Sequence, residues 1–416
     1  MIATDVAERS RLEATAHDLE SKGARVICAE SSKGMVREAD VVVISPGVPP
    51  FAELHEAQKE GVPIWSEVEL ATRSLLHPAP IVAIGGTNGK STTTTLVGEC
   101  LKTQSARVFV GGNLGEPLSD RADDLFDWIV LEVSSFQMEQ VDRFHPRSAI
   151  LLNITPDHLD RYASMDRYAV AKGNMFARQT KGDEAIIPVF DEACLAQAKR
   201  GGAGIVTFGK DANVRVEHDN VLDSRDGERY SRREWKLVGT HNAMNVAATI
   251  ACVRSLGVPP DVIRTQLGSF EGLPHRTTLV RELASVRYYD DSKGTNVGAS
   301  VSALESLSET RVVLIAGGRD KGGSYEPLAR ALANRGRAVV LIGEAAKAIE
   351  RHLSNACPHA HAASMDEAVC VARRFARPGD AVLLSPACSS FDMFRDYKHR
   401  GDEFVRAVMN LPEVSA

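Results

Sequence analysis

Ile81-Val82-Ala83-Ile84-Gly85-Gly86-Thr87-Asn88-Gly89-Lys90-Ser91-Thr92 decides the fold class of this chain. Four apolar residues read as a buried strand, a glycine-rich turn follows, and the turn opens a helix over Ser91–Lys102. Strand, turn and helix in that order let backbone N–H groups and a helix N-terminus cradle phosphate. Gly86, Thr87, Asn88 and Gly89 form the loop, Lys90 can bridge β- and γ-phosphates, and Ser91, followed by Thr92, can ligate Mg2+. The loop is a variant, because the strict pattern needs glycine where Ile84 stands. A phosphate loop also needs an acid on a neighbouring strand. Glu132, at the end of the apolar run Trp128-Ile129-Val130-Leu131, fits that role.

Outward from this unit the chain reads as α/β. The 416 residues, at roughly 150 per domain, suggest about three domains. The first, residues 1–78, alternates helices (11–22, 51–60) with short strands (25–28, 41–44, 64–65), and Ser45-Pro46-Gly47 turns the chain after a strand. The second, 79–277, holds the phosphate loop, strands at 128–133 and 149–154, a small β excursion between Ala203 and Trp235, and a helix over 242–256. The third, 278–416, repeats strand and helix: strands at 286–289, 311–316, 338–342 and 381–384, with helices between them. Such alternation predicts mostly parallel sheets covered on both faces, with ligands beyond the carboxyl ends of the strands.

Composition narrows the function. Hydrophobic residues are 44% and charged residues 25%, ordinary for a globular chain, and the net charge of −6 disfavours a general nucleic-acid binder. The seven cysteines are odd in number and form no CxxC pair, which suits buried thiols in a reducing cytoplasm. No apolar run reaches the ~18 residues of a membrane span, and no secretory leader is expected.

Seven segments in order resemble the Mur ligases and folylpolyglutamate synthetases. They are the loop 86–92, Leu131-Glu132-Val133-Ser134-Ser135-Phe136-Gln137, the stretch Asn153–Tyr162 with Asp157-His158-Leu159-Asp160, Gly239-Thr240-His241-Asn242-Ala243-Met244-Asn245, Gly272–Arg276, Asp291-Ser292-Lys293-Gly294-Thr295-Asn296 and Ser385-Pro386-Ala387-Cys388-Ser389-Ser390. Within the Mur ligases they are similar to the D-glutamate-adding branch. The resemblance implies a truncated Rossmann-like first domain, a P-loop ATPase-type centre and a Rossmann-like third domain. It also implies an ATP-dependent amide ligase that adds D-glutamate to UDP-N-acetylmuramoyl-L-alanine through an acyl phosphate, in peptidoglycan precursor synthesis. A cytoplasmic monomer with small-molecule substrates, no nucleic acid and no membrane insertion is expected.

The same resemblance assigns residues. Lys90 binds the transferring phosphoryl group, Ser91 and Glu132 hold one Mg2+, and His158 sits at a second. Lys172 is carried as a carbamate, an anion able to ligate Mg2+, which requires a desolvated, neutral amine. Asn242, Asn245 and Arg276 meet ATP, and Asp291 and Lys293 face its γ-phosphate. Thr295, Lys321, Ser390 and Tyr397 are the D-glutamate contacts; related sequences often carry phenylalanine where Tyr397 stands. Asn113, Ser45 and Gly47 belong to the sugar-nucleotide site.

Two other readings remain at this point. One is a related ligase, such as those adding diaminopimelate or lysine, which carry Asp-Asn-Pro-Arg; this chain has no Asn-Pro dipeptide. The other is a nucleotide-binding regulator without chemistry, which retention of Lys90, Glu132, His158, Lys172 and Lys293 disfavours. The match fails at the start. Relatives open with a strand, a glycine-rich turn and a helix, whereas Met1–Asp5 here resembles their second strand. A start codon placed too far downstream and a shortened paralogue with weakened activity both account for this. Either way an exposed apolar edge in the first domain is expected.

Overall fold

Ile81–Gly85 forms the expected strand and is buried at every residue. The computed structural model describes residues 1–29, 35–49, 51–159, 161–237, 239–353 and 357–413; Asp160 lies outside them. Trp128–Glu132 and Ser148–Leu151 flank this strand, both parallel to it. They belong to a nine-stranded sheet whose order, from one edge, is Val108–Gly112, Trp128–Glu132, Ile81–Gly85, Ser148–Leu151, Glu184–Pro188, Gly204–Gly209, Val214–Val216, Asn220–Asp223, Glu228–Ser231. Alternate residues serve opposite faces. Val82 and Ile84 pack with Leu96, Val97 and Val246 from the helices Lys90–Lys102 and Thr240–Ser255. Ile81 and Ala83 pack with Met175, Phe176 and Cys194 on the other side. Burial on both faces explains why the strand reads as an uninterrupted apolar run.

Two local expectations are corrected. Gly204–Gly209 is not part of a separate β excursion but pairs in parallel with Glu184–Pro188. The helix Glu192–Ala198 between them supplies the crossover that parallel pairing requires. The antiparallel part is the three strands Val214–Val216, Asn220–Asp223 and Glu228–Ser231. The long helix begins at Thr240, with Gly239 as its cap at φ 92°, so Asn242 and Asn245 lie inside its first turns.

The C-terminal sheet has six strands, in the order Thr278–Leu283, Val286–Asp290, Ala381–Leu384, Val312–Gly317, Gly336–Ile342, His359–His361. All pairs are parallel except the first. The N-terminal part forms two separate parallel pairs among the described residues: Ile2–Asp5 with Arg25–Cys28, and Val42–Ile44 with Ile64–Ser66. Met1, Ile2, Val6 and Val43 are exposed there. The helix Glu67–Ser74 departs from this part and packs Val68 and Ala71 into the middle-sheet core. Its Glu69 carboxylate, fully buried, accepts from the backbone N–H of Arg143 (2.8 Å) and Phe144 (3.1 Å) and from Arg73 Nε (2.6 Å). That set fastens the first part to the second. All seven cysteines are free. No described helix is long and apolar enough to cross a membrane.

Candidate active site

The carboxyl ends of the middle and C-terminal sheets open onto one cavity of about 620 Å3. Asn88, Gly89, Lys90, Ser91, Glu132 and Asn153 line it from the middle sheet, and Asp291, Lys293, Thr295, Asn296 and Lys321 from the C-terminal one.

The phosphate loop is clamped from behind. Asn153 Oδ1 accepts from the backbone N–H of Thr87 (3.1 Å) and Asn88 (2.9 Å), and its Nδ2 donates to Asn88 O at 3.1 Å. The Thr155 N–H donates to Thr87 Oγ1 at 3.0 Å. Gly89 caps the helix at φ 88°, and a Cβ there would overlap Asn245 Oδ1, so both conformation and space demand glycine. Asn245 in turn donates to Asn242 Oδ1 at 3.3 Å. Lys90 folds back over the loop, donating to Gly86 O (2.9 Å) and Thr87 O (2.8 Å), and burial lowers its pKa.

Glu132 is buried at the strand end. Burial pushes its pKa up, but Lys90, Ser91, Asn113 and Arg276 together hold it below the ordinary carboxylate range. Asn113 Nδ2 donates to its Oε1 at 2.6 Å, while Oε2 is buried without a hydrogen-bond partner. An ionised carboxylate with one orphaned oxygen beside the Ser91 hydroxyl fits a hard divalent cation, since Mg2+ commonly takes one or two protein oxygens and completes its shell with phosphate and water. Among the described residues no three His, Cys, Asp or Glu side chains gather into a metal cage.

Lys172 lies behind the loop, off the cavity wall, on the helix Met165–Gly173. It is only 4% exposed, donates to Gly86 O at 2.8 Å and stands 4.6 Å from the Tyr168 ring centroid. Burial, then the charge of Lys90, pushes its pKa well below the usual lysine value. A neutral amine is what carbamate formation requires. His158 lines the cavity with φ 55°, its ring edge-on to Phe136 at 4.8 Å and its Nε2 3.6 Å from Asp157 Oδ2.

The C-terminal wall is cationic around one acid. Asp291 Oδ2 accepts from Ser385 Oγ at 2.6 Å, and its Oδ1 from the Thr277 N–H and hydroxyl at 3.2 Å each. Burial outweighs those bonds and raises its pKa to about 7. Lys293 Nζ lies 3.9 Å from the Tyr397 ring centroid, and burial, then Arg276, lowers its pKa to about 8. Arg276 donates to Ser91 Oγ at 2.9 Å and so reaches across to the phosphate loop. Lys321 Nζ stands 3.3 Å from Asp157 Oδ1.

Some expected site residues lie elsewhere. Ser390 is buried and does not line the cavity; Tyr397 reaches it only through Lys293. Ser45 and Gly47 sit in an exposed turn of the first part, held to the middle by Arg161, which donates to Pro46 O (3.5 Å) and Val48 O (3.2 Å). Three residues with no assigned role in the sequence reading matter to the geometry: Asn153, Asp157 and Asn296. His241 is a fourth; it lines the cavity, and burial, then Arg276, lowers its pKa to about 4. All four stand inside the seven segments, but nothing local distinguishes them from capping or turn residues.

Comparison with known proteins identifies the family of the chain. Residues 84–253 match the Mur ligase middle domain, and residues 275–388 the family described as Mur ligase, glutamate ligase domain. The UDP-N-acetylmuramoylalanine--D-glutamate ligase of Trichlorobacter lovleyi is 42% identical, over 98% of this chain and 93% of that protein. That of Geobacter metallireducens is also 42% identical, over 98% of this chain and 91% of that protein. Among solved structures, a pseudomurein peptide ligase type C from Methanothermus fervidus has a TM-score of 0.66 at 15% identity, covering 99% of this chain and 94% of that one. MurF ligase from Thermotoga maritima in complex with ADP has a TM-score of 0.64 at 17% identity, covering 90% and 96%. At such identities the structures share the fold. The sequence relatives go further: the chain belongs to the Mur ligase family, on the branch of the UDP-N-acetylmuramoylalanine--D-glutamate ligases.

Proposed function

We propose that this chain joins D-glutamate to UDP-N-acetylmuramoylalanine at the expense of ATP, as a cytoplasmic step of peptidoglycan precursor synthesis. The observation that carries the reading is the single cavity in which the phosphate loop and Lys321 face one another. In this reading residues 1–78 receive the sugar nucleotide, 79–277 the ATP and 278–416 the amino acid. The reading takes the working unit to be a monomer.

The substrate carboxylate attacks the γ-phosphorus of ATP, ADP leaves, and an acyl phosphate results. The D-glutamate amine then attacks the acyl carbon, and phosphate leaves as the amide forms. The protein's work is to hold anions together and aim an amine. Lys90 and the loop N–H groups, Gly86 to Thr92, bear the transferring phosphoryl group. Asn242, Asn245 and Arg276 orient the nucleotide; Asp291 and Lys293 close over it from the C-terminal sheet. Ser91 and Glu132 would hold one Mg2+, and His158 with carbamylated Lys172 a second, supplying charge neutralisation at the phosphates. Asn113, Ser45 and Gly47 receive the sugar nucleotide, and Thr295 and Lys321, which line the cavity, the two carboxylates of D-glutamate.

Phosphate release measured with ATP, Mg2+, UDP-N-acetylmuramoylalanine and D-glutamate tests the assignment. Release should require D-glutamate, and oxygen label in the substrate carboxylate should appear in the phosphate. Release without D-glutamate would leave only an ATPase.

Lys321→Ala should raise the KM for D-glutamate by about 10- to 100-fold and the KM for ATP by less than twofold, since one charge-assisted contact is worth about 1.5–3 kcal/mol. Equal changes in both would remove Lys321 from the amino-acid pocket. The Lys293 ammonium, with its pKa near 8, sets a basic limb: kcat/KM for ATP should fall as pH rises through about 8, because the cation facing the phosphates is lost. Lys293→Arg should carry that limb to higher pH; an unmoved profile refutes the assignment.

A further inference from the structure

Asn296 joins two walls of the cavity with one side chain. It is 7% exposed and caps the helix Val297–Ser306, its Oδ1 accepting from the Ala299 N–H at 2.8 Å. Its Nδ2 donates to Asn88 Oδ1 at 3.0 Å, and Asn88 Nδ2 returns a bond to Asn296 Oδ1 at 3.4 Å. Asn88 is a residue of the phosphate loop, so two amides pair across the boundary between the middle and C-terminal sheets. The same Nδ2 also donates to Asp157 Oδ2 at 3.2 Å. The other oxygen of that carboxylate meets Lys321 Nζ at 3.3 Å. Asn88, Asp157, Asn296 and Lys321 all line the cavity.

We propose that Asn296 is a positioning residue for ligation: it registers the phosphate loop, through Asn88, against the amino-acid site, through Asp157 and Lys321. The inference rests on the functional reading above. A helix cap needs only an acceptor. The amide N–H2 group is surplus to capping, and both its contacts run to the opposite wall. Two rigid elements, a clamped loop and a helix N-terminus, are thereby fixed relative to each other at the point where an acyl phosphate and an amine must meet. A misplacement of about 1 Å between reacting groups can cost 100-fold in rate.

Asn296→Ser separates the two roles. Serine keeps the cap acceptor and loses the donor that crosses the cavity. Its melting temperature should stay within about 2 °C of the parent's, since cap preferences for Ser and Asn are nearly equal. The KM for D-glutamate should rise about tenfold, as expected for losing roughly 1.4 kcal/mol of alignment. The KM for ATP should rise less than threefold. In Lys321→Ala the further change Asn296→Ser should add less than twofold, because coupled residues are not additive. Asn88→Ser, which leaves the helix cap untouched, should lower kcat and serves if Asn296→Ser folds poorly. A KM for D-glutamate within twofold of the parent's, or full additivity with Lys321→Ala, overturns the inference while the functional reading stands. Failure of the unsubstituted chain to release phosphate in response to D-glutamate overturns both.

Discussion

Lys90→Ala should lower kcat for D-glutamate-dependent phosphate release by about 1000-fold, the cost of removing a preorganised charge from a developing transition state. In the structure its ammonium spends its bonds on Gly86 O and Thr87 O, so it is held over the loop before nucleotide arrives. The neighbouring charges of Glu132 and Asp157 support the cation against a burial that otherwise disfavours it. Folding should survive, because the loop keeps its bonds to Asn153 and Lys172 still donates to Gly86 O. The melting temperature should therefore move by only a few degrees. Arginine should not substitute, as its planar fork cannot take the same point contact. Retention of a tenth of the parent activity by Lys90→Ala would displace the lysine from the phosphoryl site.

Lys172→Ala should lower kcat by about 100-fold or more, with partial recovery on adding formate or acetate. The reasoning starts from burial. An ammonium that is 4% exposed, with a neighbouring lysine charge and a tyrosine ring, gives up its proton readily. The free amine can then add to CO2, forming an N–C bond and releasing a proton, and the new group carries a negative charge where Lys90 supplies a positive one. Native mass measurement should show the added mass of CO2 on the parent chain and none on the variant. Removing dissolved CO2 should lower parent activity reversibly. Undiminished activity in Lys172→Ala would remove the residue from the site, and a loss without carboxylate recovery would leave it as a packing lysine.

The two lysines differ in how far the chain alone reveals them. Lys90 stands in a contiguous unit of strand, glycine turn and helix, and the backbone geometry of that unit is local. Lys172 stands on a helix whose sequence, Met165–Gly173, reads as an ordinary amphipathic surface. What marks it is depth, and depth comes from a neighbour 86 residues away in the chain, Gly86. The same holds for Asn153, whose clamp on the loop spans 65 residues, and for Asn296, whose pair with Asn88 spans 208. The direction of Gly204–Gly209 was hidden for a related reason: β-branched composition reports a strand but not its partner.

The amino-acid sequence by itself determined the α/β class, the phosphate loop and its acid at Glu132, because each depends on periodicity or spacing within some ten residues. Tertiary structure alone decided that Lys321 and Asn296 face Asp157 and the loop, that Lys172 is buried and that Ser390 lies off the cavity wall. Those outcomes depend on how two sheets meet at their carboxyl ends, and long-range packing leaves no periodic mark on the segments it brings together.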